Sequence, residues 1–152
     1  MADIHITRAD PASPVAAVLF SEIAAEMAAR YGGNGVWGFT PADLKGERSV
    51  FVVAYTGDQP VGCGGLMAVS PTQAEIKRVY VRPAARGQGL SRQIMAALEA
   101  DAQTLGYTHI RLETGLKQPA AIHIYESLGY QRVPCWGDYS QDPMSVCYSK
   151  SL

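Results

Sequence analysis

Long apolar runs are missing from this sequence. No stretch approaches the roughly 18 apolar residues that a membrane-spanning helix needs. The first ten residues carry Asp3, His5, Arg8 and Asp10 where a secretory leader would hold its apolar core. Cysteine is scarce. Cys63, Cys135 and Cys147 make an odd count without CxxC spacing, which argues against a disulfide framework or a thiolate metal site. His5 and His109 sit in no ligand pattern, so no metal is expected. These features predict a reducing cytoplasm as the setting. A surplus of one charge is also lacking. Thirteen Lys and Arg against 14 Asp and Glu leave a net charge of −1, so neither nucleic acid nor an anionic membrane is expected as a partner. No repeat, low-complexity tract or linker is evident.

The 152 residues are 47% hydrophobic and 18% charged, the balance of a globular protein. One domain over 1–152 is expected, burying roughly two-thirds of its unfolded surface.

Periodicity orders the elements as β-α-(α)-β-β-β-α-β-α-β-β. Ile4 to Arg8 alternates as a first strand, and Ser13–Pro14 caps a helix to Arg30 with Val15, Val18, Leu19, Ile23 and Met27 on its apolar stripe. Thr40–Pro41 starts a short helix through Leu44. Val50–Tyr55, Pro60–Val69 and Ala74–Val81 read as three consecutive strands, the first two a hairpin across Gly57–Asp58–Gln59. A helix to about Leu105 follows, with Leu90, Ile94 and Leu98 buried and Gly106 as its cap. Ile110–Thr114 is a strand and Pro119–Leu128 a helix with Ala121, Ile124, Tyr125 and Leu128 on a buried stripe. Tyr130–Val133 and Ser145–Ser149 are the final strands. Three strands before the first crossover make the sheet mixed.

The segment Arg86-Gly87-Gln88-Gly89-Leu90-Ser91 follows a strand and enters a helix. Two glycines let backbone approach a ligand where a Cβ would collide. The first N–H groups of the helix lack internal partners and lie at the positive end of its dipole, which a diphosphate would satisfy. Arg86 adds a guanidinium and Ser91 a hydroxyl. A dinucleotide-binding turn is excluded because Arg92 occupies its third glycine position, and a P-loop because Gly-Lys-Ser/Thr is absent.

This segment resembles the coenzyme A diphosphate motif of the GNAT superfamily of N-acetyltransferases, Arg/Gln-x-x-Gly-x-Gly/Ala, with Ser91 replacing the usual Gly or Ala. Gln118, Ala121, Tyr125, Gly129 and Tyr130 match the second motif of the same family, with Gln where Asn is commoner. The resemblance covers residues 50 to 130. It implies an α/β (α+β) fold: a GNAT-like mixed, mostly antiparallel central sheet of six to seven strands flanked by about four helices. It implies acetyl-CoA as cofactor, held by Val79, Tyr80, Val81, Arg86, Gly87, Gln88, Gly89, Leu90, Ser91, Gln118, Ala121 and Tyr125. Val79 to Val81 would pair with the pantetheine arm, and an N–H near Val79 would face the thioester oxygen.

For the chemistry, the resemblance points to Glu75 as general base and Tyr125 as general acid. Strict alternation puts Glu75, Lys77, Val79 and Val81 on one sheet face, and Ile76, Arg78 and Tyr80 on the other. The bland alternatives are an ion-paired Glu75 and a core aromatic Tyr125. His123 falls on the polar side of its helix, and Cys63 reads as an inert buried thiol. The acceptor region is implied to be residues 22–39 and 135–143, with Tyr31, Trp37, Phe39, Trp136, Asp138 and Tyr139. Aromatic walls with acids suit a small cationic or amphipathic amine. The expected function is therefore N-acetyl transfer to a small-molecule amine. The alternatives are a protein or peptide acetyltransferase and a non-catalytic coenzyme A-binding module. Family members are often homodimers, and nothing in the sequence decides that.

Overall fold

The computed structural model describes residues 3–152; Met1 and Ala2, at the start of the domain expected over 1–152, lie outside the described residues. The elements run β1 (Ile4–Arg8), α1 (Pro14–Tyr31), a 3-10 turn (Pro41–Leu44), β2 (Val50–Thr56), β3 (Gln59–Ala68), β4 (Gln73–Val81), a 3-10 turn (Pro83–Ala85), α2 (Leu90–Thr104), β5 (His109–Gly115), α3 (Pro119–Ser127), β6 (Gln131–Val133), a 3-10 turn (Gly137–Gln141) and β7 (Ser145–Ser151). Seven strands form one sheet in the order β1-β2-β3-β4-β5-β7-β6. Only β4 and β5 are parallel, joined through α2. Of the roughly four helices expected, three are α-helices, and the one read at 41–44 is a 3-10 turn.

The sheet separates two cores. Val50, Val52 and Ala54 pack with Ile94, Met95 and Leu98 of α2, while Phe51 and Val53 pack with Ala16, Leu19 and Ile23 of α1. Alternate β2 residues thus point to opposite faces, as a strand requires. The α1 helix starts where Ser13 Oγ accepts from the Ala16 N–H at 3.3 Å, with Pro14 in the first turn. Val18, read as part of its stripe, is 49% exposed. It lies about 200° around the helix from Ala16, so it faces away from the sheet. The Gly64 backbone lets α2 sit close; a Cβ there would meet Ile94 at 2.8 Å and Leu98 at 2.9 Å.

The decisive irregularity is in β4. Between the Cys63–Tyr80 and Gly65–Lys77 pairs, Gly64 alone faces both Arg78 and Val79. Arg78 has φ of 59°, outside the usual range for a side-chain-bearing residue. Its guanidinium compensates by donating to Val36 O at 2.6 Å and stacking 4.4 Å from the Phe39 ring centroid. The extra residue shifts the alternation. Val79 and Val81 therefore pack with Ile76 toward α2, not with Glu75 and Lys77 as strict alternation predicted. Pairing of β4 with β5 stops at Ile76–Leu112, so residues 77–81 have no β5 partner and the two strands part.

The cysteine reading needs correction. Cys135 and Cys147 form a disulfide with Cα atoms 5.2 Å apart. The β6–β7 ladder puts Val133 opposite Cys147, which brings Cys135 within reach. The odd count reflected only Cys63, which is free and fully buried. Closing a chain segment at a separation of 12 residues stabilises by about 3 kcal/mol.

Candidate active site

The gap between β4 and β5 opens into a cavity of about 1230 Å³. One end is built by the turn into α2. Gly87 and Gly89 hold φ of 81° and 77°, and a Cβ added to either would meet nothing within 4 Å. Gly89 caps α2 without a side-chain hydrogen bond, so the first N–H groups of the helix are left to a ligand. Ser91 lines this end too. Arg86 is already engaged: it donates to Val81 O at 2.8 Å and to both Glu26 oxygens at 2.9 and 3.1 Å. Arg92, given no role by the sequence reading, lines the same end and is exposed, with no salt bridge among the described residues. The glycine spacing drew attention to the turn, and a cation three residues past Gly89 was the available signal.

Gln88, expected among the coenzyme-binding residues, is not part of the lining. Leu90 reaches the cavity, but its residue is 2% exposed and belongs to the core under α2. Val79, Tyr80 and Val81 border the gap along the edge of β4 that β5 leaves free. The Tyr80 hydroxyl donates to Glu22 at 3.1 Å.

The other end is aromatic and acidic. Tyr31, Trp37, Phe39, Trp136, Asp138 and Tyr139 all line it, which brings together both acceptor segments of the sequence reading. Trp37 is 56% exposed and has φ of 46°, a strained backbone displayed at the cavity rim. Tyr31 holds the opposite strand end in place, its hydroxyl accepting from the Lys117 N–H at 3.1 Å and from Gln118 Nε2 at 3.3 Å.

Glu75 is 2% exposed and sits between two cations, Arg111 at 3.0 Å and Lys77 at 3.1 Å. Burial alone would lower the Lys77 ammonium; the Glu75 charge and Tyr139 outweigh it and push the group up. Both cations carry the aromatic wall. Arg111 lies 4.2 Å from the Trp136 ring centroid, and Lys77 donates to the Tyr139 hydroxyl at 3.3 Å.

Glu113 is an acid to which the sequence reading gave no role. It lies on β5 beside the gap, lines the cavity and has no salt bridge among the described residues. Burial pushes its carboxyl up to about 7, opposed by the Ser145 hydroxyl, which donates to it at 2.7 Å; Asp142 and Glu75 add upward pushes and Lys77 a downward one. A carboxyl poised there suits proton transfer near neutrality. One signal was in the sequence, an acid whose strand alternation points it opposite to Leu112 and Thr114.

Tyr125 is half-buried and lines the cavity from α3; among the described residues its hydroxyl has no protein hydrogen-bond partner. Burial, with the Glu113 charge, pushes the phenol up to about 12. No residue of α3 is fully buried. Its expected core stripe is instead shared: Ile122, Tyr125 and Leu128 touch the core, while Ala121, Ile124 and Tyr125 line the cavity. The reason is the parting of β4 and β5, which leaves open space where that helix would otherwise meet the sheet. His123 is exposed at the rim, and the Cys63 thiol, pushed up to about 12 by burial, is inert.

The site thus joins a split parallel strand pair, an uncapped helix entry flanked by glycines and a cavity lined by Glu113, Tyr125 and aromatic side chains. The pattern of the Acetyltransferase (GNAT) family matches residues 19–130, and the chain belongs to that family. It is therefore an acetyltransferase with acetyl-CoA as donor. The chain is 33% identical over 112 residues to the uncharacterized N-acetyltransferase YsnE of Bacillus subtilis, covering 72% of this chain and 74% of that one. It is 33% identical over 103 residues to the IAA acetyltransferase of Azospirillum brasilense, covering 67% of each. A solved structure from Klebsiella pneumoniae, assigned as an acyl-CoA N-acyltransferase, superposes with a TM-score of 0.81 at 30% identity, covering 98% of this chain and 97% of that one. No helix among the described residues is long and apolar enough to cross a membrane.

Proposed function

We propose that the enzyme acetylates the amine of a small molecule, with Glu113 taking the ammonium proton and Tyr125 returning a proton to the leaving sulfur. One observation carries this reading: both residues line the same cavity as Val79 to Val81, on the edge of β4 that β5 leaves free, and as Gly87 and Gly89 of the helix entry. The coenzyme fits these residues, because the open space over Gly87 and Gly89 and the uncapped start of α2 accept a diphosphate. Acetyl-CoA supplies an activated acetyl thioester when bound. The free edge of β4 orients the pantetheine arm. The aromatic walls exclude water and hold the amine, and Glu113, which has no salt bridge among the described residues, attracts it as ammonium.

Glu113 is preferred over Glu75 as base. Both Glu75 oxygens are already taken, Oε1 by Arg111 and Oε2 by Lys77, which leaves neither free to face an incoming amine. A small acceptor suits a cavity lined by two aromatic pairs, Tyr31–Trp37 and Trp136–Tyr139. A cytoplasmic setting belongs to the same reading, since acetyl-CoA is a cytoplasmic metabolite. So does a homodimer, on family grounds alone; sedimentation velocity decides it.

The test is thiol release from acetyl-CoA across a panel of amines, amino acids and peptides. Turnover confined to peptides would replace the small-molecule reading, and binding without turnover on any acceptor would replace catalysis with a binding role. Tyr125→Phe keeps the packing and is expected to lower kcat roughly 10²-fold with coenzyme affinity unchanged. Arg92→Ala is expected to weaken coenzyme A binding about tenfold in calorimetry, the value of one charge-assisted contact. Unchanged affinity would remove Arg92 from the diphosphate site.

A further inference from the structure

We propose that Cys135 and Cys147 form a reversible thiol–disulfide site that sets the acceptor wall of the cavity, its co-reactants being a small dithiol in one direction and a small disulfide in the other. The proposal rests on the acceptor assignment above for its effect on turnover, but its chemistry stands on geometry alone.

The Trp136–Tyr139 wall belongs to a strap between β6 and β7. The β6–β7 ladder ends at Val133–Cys147, and Pro134 follows, with no N–H to extend it. From there to Asp142 the strap bonds mainly to itself. Tyr139 N donates to Trp136 O, Asp142 N to Tyr139 O and Ser140 Oγ to Gly137 O. Among the described residues, its side-chain ties to the sheet are the disulfide, the Trp136–Arg111 stack and the Lys77–Tyr139 hydrogen bond, and at its far end Ser145 N of β7 donates to Asp142 O. The disulfide is the one covalent tie among them. Its anchor, Cys147, is 2% exposed and sits opposite Glu113 in the β5–β7 register. Cys135, on the strap, is half-buried and the more accessible sulfur. The covalent tie therefore fixes a wall that two individually modest contacts would otherwise hold. The glycine-lined coenzyme end is built by other elements, β4 and α2, and does not depend on the strap.

Reduction proceeds by attack of a dithiol's thiolate on Cys135 Sγ. The S–S bond breaks, and Cys147 leaves as a thiolate and takes up a proton. The reductant's second thiolate then displaces Cys135, which is also protonated, and the reductant departs as a cyclic disulfide. Two electrons and two protons pass to the cysteine pair. Oxidised glutathione reverses the change and leaves as two thiols. An enzyme that draws on acetyl-CoA works where thiols are kept reduced, and disulfides found there are typically transient or redox-sensing. Cys63 does not take part, being fully buried on β3.

The experiment uses the full chain equilibrated with dithiothreitol or with oxidised glutathione, then alkylated in denaturant and weighed by mass spectrometry. One alkylated cysteine after oxidation and three after reduction are expected; three after oxidation would overturn the site. Of the two tryptophans, Trp37→Phe leaves Trp136 as the sole emitter. Its emission is expected to shift to longer wavelength on reduction, and Cys135→Ser should show the shifted emission in both buffers. Identical emission in the two states, or an oxidised-type emission from Cys135→Ser, would overturn the coupling to the wall. With an amine from the panel, reduction should raise the acceptor KM about tenfold while calorimetric coenzyme A affinity stays the same. Loss of coenzyme A affinity on reduction, or an unmoved acceptor KM, would overturn the assignment to the acceptor wall. Were coenzyme A not to bind in either state, the acetyl-transfer reading would fail, and the thiol count and Trp136 emission would still decide the redox site.

Discussion

Glu113→Gln is expected to lower kcat/KM about 10³-fold and to erase the rise of the rate through pH 7, while making the fold more stable in alkali. The two effects have one cause. Burial raises the Glu113 carboxyl to about 7 from an ordinary value of 4.5, so the folded protein binds its proton more tightly than the unfolded chain does. Stability from this group is full below about pH 4.5 and is lost as pH climbs through about 7, where the folded protein must hold a buried anion. The neutral amide avoids that cost. Gln can still accept from Ser145 Oγ, so the hydrogen bond at 2.7 Å has a substitute. Above pH 8 the variant should be more stable by up to about 2 kcal/mol, and near pH 4 the two proteins should match. The rate responds oppositely, because only the anion accepts the amine proton. A stabilised variant with an unaltered pH–rate profile would leave Glu113 as a strained structural acid and remove it from the chemistry.

The fold was legible because its signals are local. Alternation in Val50–Tyr55, the Ser13–Pro14 cap and the glycines at 87 and 89 are each contained in a few residues and match β2, the start of α1 and the entry to α2. The two motifs then supplied the fold class, a mixed, mostly antiparallel sheet. What the sequence concealed depends on contacts between distant segments. The bulge at Arg78 needs the Val36 carbonyl and the Phe39 ring, about forty positions upstream, to hold a left-handed arginine, and no strand pattern announces it. Missing it reversed the faces of Val79 and Val81. The Cys135–Cys147 bond needs the β6–β7 register, which cysteine counting does not contain. The parting of β4 from β5 turned a predicted core stripe on α3 into one side of a cavity. Charge pairing was the least legible feature. The sequence reading singled out Glu75 and passed over Glu113, and only the fold gives Glu75 two cation partners and Glu113 no salt bridge among the described residues.

That difference makes Glu75→Gln the sharpest companion to the first variant. Its main consequence should be on the fold, a loss of about 3–4 kcal/mol in denaturant unfolding. Arg111 and Lys77 have side chains only 20% and 19% exposed, and without the carboxylate two cations face each other with little water to screen them. Removing one of them should then help. Lys77→Met placed on the Glu75→Gln background is expected to recover stability, because it leaves a single cation beside a neutral amide, although Lys77→Met alone costs some by removing one partner of the Glu75 carboxylate. The same carboxylate positions both wall contacts, Arg111 under Trp136 and Lys77 against Tyr139. Glu75→Gln should therefore raise the acceptor KM several-fold, with the inflection of the rate near pH 7 kept in place, since that inflection belongs to Glu113. Should Glu75→Gln remain fully stable and flatten the pH–rate profile, the two acids would have to exchange roles: Glu75 would be the base, and Glu113 the acid that merely fills a buried strand position.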